Sequence, residues 1–288
     1  MRTLITGAGG FLGREVLQAF RGDGEVIPVS RSGREGWFGA DVRERDAVRR
    51  MVVETHPDVV VHLAAYPDPD FCEDHPDEAR RLNVGSVRHL VELLPAGTRL
   101  LFVSTDYVFD GTAPPYTETS ERHPLSIYGS TKCDAEDLVS ERRNSTILRI
   151  PLQIGAGPTL DKSGFISIMI KQLRDRDPQL VDDVIARFPT WTRDVAHVMQ
   201  FLVHGGHDGV FHYSNPVGGT RWHWTQLVAE TLGFSSSHLI PSHEVIQRRA
   251  QRPVNSQLIS SKLPALGYSR CTPVPDVVRD VVRTFGGL

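Results

Sequence analysis

Cysteine is scarce in this 288-residue sequence, which contains only Cys72, Cys133 and Cys271. Such a small, odd number of widely separated cysteines argues against a disulfide framework or a zinc-binding knot, so we expect reduced thiols in a cytoplasmic protein. The histidines are scattered without the spacing of metal ligands, and we predict no metal site. Cys133 directly follows Lys132, but a helix would point it away from that residue's face, so we interpret it as a packing residue.

Long apolar segments and an excess of positive charge are also missing. The formal net charge is −3, so no basic stripe indicates a nucleic acid or an anionic membrane as a partner. No run of 18 apolar residues is present, as a transmembrane helix requires, and the chain enters a strand directly, which leaves no room for a cleavable signal. With no internal repeat, the length suits one large domain or a domain with a smaller lobe.

The first motif that carries chemistry is a glycine-rich turn near the amino terminus. The residues before it, 2–6, are predicted to form a strand, and apolar residues with helical spacing follow it. Strand, glycine turn and helix are the context of a dinucleotide-binding fingerprint, with the pyrophosphate at the outward-facing N–H groups of the helix N-terminus. From this turn we predict as cofactor ligands Gly7, Gly10, Phe11, Leu12 and Gly13.

The second predicted strand, residues 26–29, ends at Ser30, Arg31 and Ser32 without an acidic residue. Proteins that prefer NAD usually place Asp or Glu at this strand end, where the carboxylate bonds the ribose 2′-OH. A guanidinium beside two hydroxyl groups suits the 2′-phosphate of NADP, because it pairs with phosphate through parallel hydrogen bonds. We therefore predict that NADP(H) is preferred, with NAD(H) as the alternative.

Predicted strands and helices alternate along the chain, as in a parallel sheet with helices on both faces. A buried strand at 99–103 delivers Ser104, Thr105 and Asp106 to its carboxyl end, which is where doubly wound sheets bind ligands. Residues 58–65 are predicted to form a buried strand that runs into a small-residue turn, and 146–150 a further strand.

These patterns predict an α/β fold, with a Rossmann-type doubly wound parallel sheet and a smaller C-terminal substrate lobe. We expect residues 1–155 to form an NADP-binding domain that is completed by part of 185–215. Residues 156–288 are then mainly a substrate-binding lobe.

Tyr128 and Lys132 are spaced for proton chemistry. On a helix, residues four apart share one face, with about 6 Å between their Cβ atoms. An ammonium group beside a phenol favours the phenolate and lowers its pKa, but moving that pKa to 7 takes roughly 4 kcal/mol. A second positive charge, such as an oxidised nicotinamide ring, is therefore implied. Taken alone, the same spacing is typical of an ordinary surface helix.

Several motifs together resemble those of the extended short-chain dehydrogenase/reductases. The stretch around Thr105 is similar to the dTDP-4-dehydrorhamnose reductases, and the later motifs are closer to the regulatory beta subunits of methionine adenosyltransferase. The resemblance spans almost the whole chain and is specific for superfamily but not for substrate. The motifs that carry it are Thr6-Gly7-x-x-Gly10-x-x-Gly13, Asp41-Val42, His62-Leu63-Ala64-Ala65, Asn83-Val84, the segment 104–111, Tyr128-x-x-x-Lys132, the segments 187–196 and 209–214, and the segment 251–258.

The resemblance implies a catalytic role for three residues. Tyr128 protonates the substrate oxygen as hydride reaches the carbonyl carbon, and Lys132 holds the nicotinamide ribose and lowers the pKa of Tyr128. Thr105 bonds the same carbonyl oxygen and stabilises its developing charge. Ser104 is the competing candidate, although alternation along the strand would send it to the opposite face.

The resemblance also implies ligand contacts around this centre. The adenine is expected against Asp41 and Val42, and the sugar pocket against Asp106 and Tyr107. Arg252 is predicted to bind a nucleotide-sugar diphosphate, with an interdomain ion pair as the alternative reading of the cluster Arg248, Arg249 and Arg252. The remaining cofactor contacts are expected at Leu63, Ala64, Ala65, Tyr128, Lys132 and Ile150.

Three functions stay open from the sequence. The first is an NADPH-dependent reductase of a nucleotide-linked 4-keto-6-deoxysugar, a small-molecule substrate. The second is a nicotinamide-binding regulatory subunit with a synthetase as its protein partner. The third is a reductase or epimerase acting on another substrate. The relatives also suggest a homodimer.

Overall fold

The computed structural model describes residues 1–287. Eleven strands occur in that range: β1 (Arg2–Thr6), β2 (Glu25–Ser30), β3 (Phe38–Gly39), β4 (Val59–His62), β5 (Arg99–Thr105), β6 (Ser145–Ile150), β7 (Gln153–Ile154), β8 (Gln179–Asp182), β9 (Thr190–Trp191), β10 (Gly209–His212) and β11 (Leu239–Ser242). The α-helices of the same range are α1 (Phe11–Phe20), α2 (Arg45–Thr55), α3 (Pro69–Asp74), α4 (Pro76–Arg80), α5 (Ser86–Leu93), α6 (Ile127–Ser140), α7 (Phe165–Arg174), α8 (Thr192–His204), α9 (Arg221–Leu232), α10 (Lys262–Ala265) and α11 (Val274–Thr284).

Seven strands form one parallel sheet in the order β10-β6-β5-β4-β1-β2-β3. The strand order reverses next to β1, so the carboxyl ends of β1, β4 and β5 open together into one crevice. The predicted doubly wound α/β fold of Rossmann type is confirmed. Its central strands are buried on both faces, which explains their continuous apolar sequence.

Helices cover both faces of the sheet and bury two apolar clusters. On one face, α1 and α8 pack together and contribute Phe20 and Met199. On the other, α2 and α5 contribute Met51 and Leu90. These four side chains are fully buried, so hydrophobic burial on both faces fixes the sheet that carries the site.

The seventh strand of the sheet comes from late in the chain. After β6 the chain leaves the sheet, and it returns through α8 and β10, which pairs with β6. A third cluster lies between α7, α9 and α11, with Ile170, Trp224 and Val278 at its centre. The division into 1–155 and 156–288 stays a prediction.

Two local details differ from the sequence-based expectations. The strand predicted at 99–103 continues to Thr105, whereas the strand within 58–65 ends at His62, ahead of the predicted turn. The region before α5 contains a wider π-type turn at Arg81–Gly85, which a smooth helical pattern does not reveal. Within residues 1–287, no helix is both long and apolar enough to cross a bilayer.

Candidate active site

The glycine turn packs so closely that side chains have no room. Gly7 has a φ of +67°, and a Cβ there would lie 2.8 Å from the backbone nitrogen of Ala64. A Cβ on Gly13 would lie 2.4 Å from the carbonyl oxygen of Gly7. Helix α1 begins immediately after Gly10, which provides no side-chain cap. The first N–H groups of the helix therefore remain available to a phosphate.

Hydrogen bonds fix the strand ends around this turn. Thr6 Oγ1 lies 2.8 Å from Nδ1 of buried His62, whose Nε2 lies 3.0 Å from Ser86 Oγ. Burial lowers the pKa of His62 to about 3, so the ring is neutral at ordinary pH. Asn83, from the π-type turn, binds the backbone of Tyr66 and reaches Thr131 on α6. These contacts hold β1, β4 and α6 in register around one crevice.

Tyr128 lies in the first turn of α6, and that turn is held from two directions. Ser126 caps the helix by accepting a hydrogen bond from the Gly129 N–H, and Glu73 Oε1 accepts one from the Ile127 N–H at 2.8 Å. A Cβ on Gly129 would lie 2.3 Å from the Tyr107 carbonyl oxygen, so the helix can approach the end of β5 closely. The phenol of Tyr128 is thereby placed beside Thr105.

The electrostatics of Tyr128 differ from the expectation. Burial raises its pKa, while a hydrogen bond with Thr105 acts in the opposite direction. Lys132 was expected to lower this pKa, but the protein's own residues do not produce that effect, because desolvation of the phenolate outweighs them. A raised pKa keeps the phenol protonated at neutral pH, which is the state that a proton donor needs.

Lys132 is itself shifted towards the neutral form. It is 4% exposed, and its Nζ lies 4.0 Å from the centroid of the Phe102 ring. Burial lowers the pKa of Lys132 to about 7, although the carboxylate of Glu136 one turn later raises it. Both carboxylate oxygens of Glu136 accept hydrogen bonds from Arg149, at 2.7 and 2.9 Å, so Lys132 shares the negative charge of Glu136 with Arg149. The ammonium group is therefore poorly compensated in its buried position.

Asp106 joins the Thr105 hydroxyl to the C-terminal part of the chain. Its Oδ1 accepts a hydrogen bond from Thr105 Oγ1 at 3.1 Å, and its Oδ2 accepts one from Ser256 Oγ. Burial raises the pKa of Asp106, whereas these hydrogen bonds and the charge of Arg187 oppose that rise. Ser104 also lines the crevice, but it is the Thr105 hydroxyl that acts on the pKa of Tyr128.

The crevice is a cavity of about 840 Å³, which is in the upper range for ligand sites. The predicted residue Ser32 is not in its lining, and neither is Arg252. Residues that sequence reasoning missed are Arg43, Tyr66, Gln153, Phe165 and Arg187. The predicted site residues that line the cavity are Gly7, Gly10, Phe11, Leu12, Gly13, Ser30, Arg31, Asp41, Val42, Leu63, Ala64, Ala65, Thr105, Asp106, Tyr107, Tyr128, Lys132 and Ile150.

The guanidinium group of Arg252 is engaged in an ion pair. It binds both carboxylate oxygens of Asp70 at 2.9 Å, and Arg249 binds Asp74 at 2.6 Å. This arrangement corresponds to the interdomain ion-pair reading of the arginine cluster. Arg187, in contrast, does line the cavity, and its charge acts on Asp106 and Tyr107. Its place beside a buried aspartate depends on folding, so the sequence carried no signal for it.

The three cysteines are free thiols. Cys133 is buried, and burial raises its pKa to about 12, which makes it a poor nucleophile. Among the residues that the structure describes, no group of three or more His, Cys, Asp or Glu side chains is arranged to hold a metal ion.

Comparisons with known proteins support the resemblance seen in the motifs. The family model described as RmlD substrate binding domain matches residues 1–285. Methionine adenosyltransferase 2 subunit beta from Danio rerio is 33% identical over 294 residues, covering 99% of this chain and 91% of the relative. The dTDP-4-dehydrorhamnose reductase of Streptomyces griseus is 35% identical over 279 residues, covering 92% and 88% respectively. The crystal structure of a dTDP-4-dehydrorhamnose reductase from Clostridium acetobutylicum superimposes with a TM-score of 0.89 at 28% identity, covering 99% and 100% of the two chains.

Proposed function

Because the chain belongs to the RmlD substrate binding domain family, we propose that it is an NADPH-dependent reductase of a nucleotide-linked 4-keto-6-deoxysugar. One observation carries the proposal. The phenol of Tyr128 and the hydroxyl of Thr105 lie beside each other on the wall of the large crevice. A donor pair of this kind suits a carbonyl oxygen that gains charge during reduction.

The crevice fits a dinucleotide at one end. The glycine turn admits a pyrophosphate at the N-terminus of α1. Arg31 follows the carboxyl end of β2 and lines the cavity, and we place the adenosine of the cofactor there. We propose that Lys132 holds the nicotinamide ribose and that Ile150 lies against the nicotinamide. When bound, NADPH supplies the hydride.

The residues of the chain then have separate tasks in the reduction. Tyr128 donates its phenolic proton to the carbonyl oxygen, so an O–H bond breaks on the phenol and one forms on the substrate. Thr105 is oriented by Asp106 and by the N–H of Tyr107, which donates to Thr105 Oγ1 at 3.2 Å. When the substrate is bound, the hydroxyl turns its single proton from Asp106 to the carbonyl oxygen and stabilises it as negative charge develops. Asp106, Tyr107 and Arg187 form the sugar-facing wall.

The test uses NADPH oxidation with dTDP-4-dehydrorhamnose as substrate. We expect Tyr128→Phe to lower kcat by about 10²- to 10⁴-fold, the usual contribution of general acid catalysis, while NADP⁺ binding is retained. Tyr268→Phe is the matched control, since Tyr268 packs against α8 outside the cavity lining. A Tyr128→Phe variant with an unchanged rate would contradict the proposed role.

A second candidate function is regulatory. Similarity to a methionine adenosyltransferase beta subunit over 99% of the chain supports an NADP-binding subunit that docks on such an enzyme. Wild-type protein that binds NADP⁺ but turns over no nucleotide keto-sugar, and that co-purifies with a methionine adenosyltransferase, would favour this candidate. A homodimer stays a prediction, which light scattering of the purified protein tests.

A further inference from the structure

An ion pair lies at the adenosine-facing end of the cavity. Asp41, just beyond β3, accepts hydrogen bonds from Arg43 through both carboxylate oxygens, with Arg43 Nε at 2.9 Å from Oδ1 and Nη2 at 2.6 Å from Oδ2. The Arg43 N–H also donates to Oδ1 at 3.0 Å. The two side chains are only 22% and 24% exposed, and both residues line the cavity. A bidentate, half-buried pair of this kind is well defined.

Arg43 neutralises the negative charge of Asp41 close to Arg31. The hydrogen bonds from Arg43 lower the pKa of Asp41, and the charge of Arg31 lowers it further. Asp41 is therefore ionised, and it lies close enough to Arg31 for the two charges to interact. The neighbouring Glu44 is paired with Arg81. With both carboxylates compensated, Arg31 supplies one unbalanced positive charge at this strand end.

We propose that the Asp41–Arg43 ion pair determines the choice between NADP and NAD, with Arg43 as a specificity-determining residue. The inference rests on the proposed function only in requiring that the protein binds a nicotinamide dinucleotide. Arg43 acts by neutralising Asp41, because its Nε and Nη2 are already occupied by that carboxylate. Without Arg43, the uncompensated carboxylate repels the dianionic 2′-phosphate and competes for Arg31.

The readout is the ratio of the dissociation constants for NAD⁺ and NADP⁺, each measured by titration at one low ionic strength. Both cofactors carry the same adenine, so changes in adenine contacts cancel in the ratio. We expect Arg43→Ala to lower the preference for NADP⁺ roughly tenfold, which corresponds to about 1.4 kcal/mol. Asp41→Asn leaves or strengthens the preference. The double variant Asp41→Asn/Arg43→Ala returns to within about threefold of the wild-type ratio, since no charge is left to compensate.

Arg45→Ala is the matched control. Arg45 is an exposed arginine two residues further along, it pairs with Glu92, and it does not line the cavity. It should leave the ratio unchanged. The inference is overturned if Arg43→Ala leaves the ratio unchanged, or if the double variant stays as low as Arg43→Ala, which would make Arg43 a direct phosphate ligand. The measurement does not involve turnover. A failure of the reductase assay therefore does not affect the ratio of the two dissociation constants.

Discussion

Replacing Lys132 by methionine should abolish turnover and at the same time stabilise the fold. The ammonium group is 4% exposed, and burial lowers the pKa of Lys132 from 10.5 to about 7. At about 1.36 kcal/mol per pH unit, that fall corresponds to roughly 5 kcal/mol. The ammonium group also lies 4.0 Å from the Phe102 ring centroid, a contact worth about 1–2 kcal/mol that methionine loses. We therefore expect Lys132→Met to gain about 2–4 kcal/mol in free energy of unfolding near pH 7.

The pH dependence identifies the cause. The folded state disfavours the charged form, so it binds fewer protons than the unfolded chain between the folded pKa near 7 and the unfolded value of 10.5. The penalty that Lys132 imposes is full below pH 7, shrinks as the pH rises and is absent above 10.5. The advantage of Lys132→Met should shrink in the same way.

Urea unfolding at pH 6, 7.5 and 9 provides the assay, with Lys171→Met as the control. Lys171 is an exposed lysine on α7, so its replacement should have little effect at any pH. The reasoning is refuted if Lys132→Met is less stable than the wild type, or if its advantage is the same at pH 6 and pH 9. Either result would mean that the buried ammonium group is compensated in a way that the contacts with Phe102 and Glu136 do not explain.

Two further predictions concern the glycine turn and the interdomain ion pair. Gly13→Ala should weaken NADP⁺ binding at least about tenfold, because its Cβ would lie 2.4 Å from a backbone oxygen and the turn must shift. Gly22→Ala is the control, since a Cβ there would meet nothing within 4 Å. Equal NADP⁺ affinities of the two variants would contradict this prediction. Asp70→Asn should cost about 3 kcal/mol in unfolding free energy and Arg252→Met only about 1, because the arginine is 12% exposed and the carboxylate 33%. The pKa of Asp70 is lowered to about 2 by Arg252. The pair therefore stabilises the fold above pH 4, and this stabilisation is lost as the pH falls towards 2. A larger loss of unfolding free energy for Arg252→Met than for Asp70→Asn would contradict the argument.

The features that could be predicted from the sequence each lie within one motif. The glycine turn, the end of β5 and the first turn of α6 each combine a local pattern with a known position in a parallel sheet. Thr105, Tyr128 and Lys132 were therefore predicted without any knowledge of long-range contacts. The fold class followed from the alternation of buried strands and amphipathic helices, which burial in a two-sided sheet requires.

What the sequence could not reveal depends on how distant segments meet. Arg252 and Asp70 are 182 residues apart, and nothing in either segment identifies the other as its partner. Arg187 reaches the cavity only because its segment packs beside Asp106. The raised pKa of Tyr128 could not be predicted either, because desolvation is a property of the folded surroundings rather than of the four-residue spacing from Lys132.

Arg43 is an intermediate case. Its position two residues after Asp41 was visible, and a basic side chain there can fold back onto the carboxylate. Nothing in the sequence favours that conformation over a solvated one, since the exposure of both groups is set by the neighbouring strand ends.

Asp106 connects the sheet with a distant segment of the chain at this site. Its carboxylate accepts hydrogen bonds from Thr105 and from Ser256, so one buried group connects the Thr105 hydroxyl with a segment 150 residues later. A shift of that segment changes the hydrogen bonding of Asp106, and with it the orientation of Thr105. Under the proposed function, a substrate that contacts this segment acts on Thr105 through Asp106 as well as through its own fit. Substrate choice and turnover would then be coupled, and motifs of the sheet alone would indicate the superfamily but not the substrate.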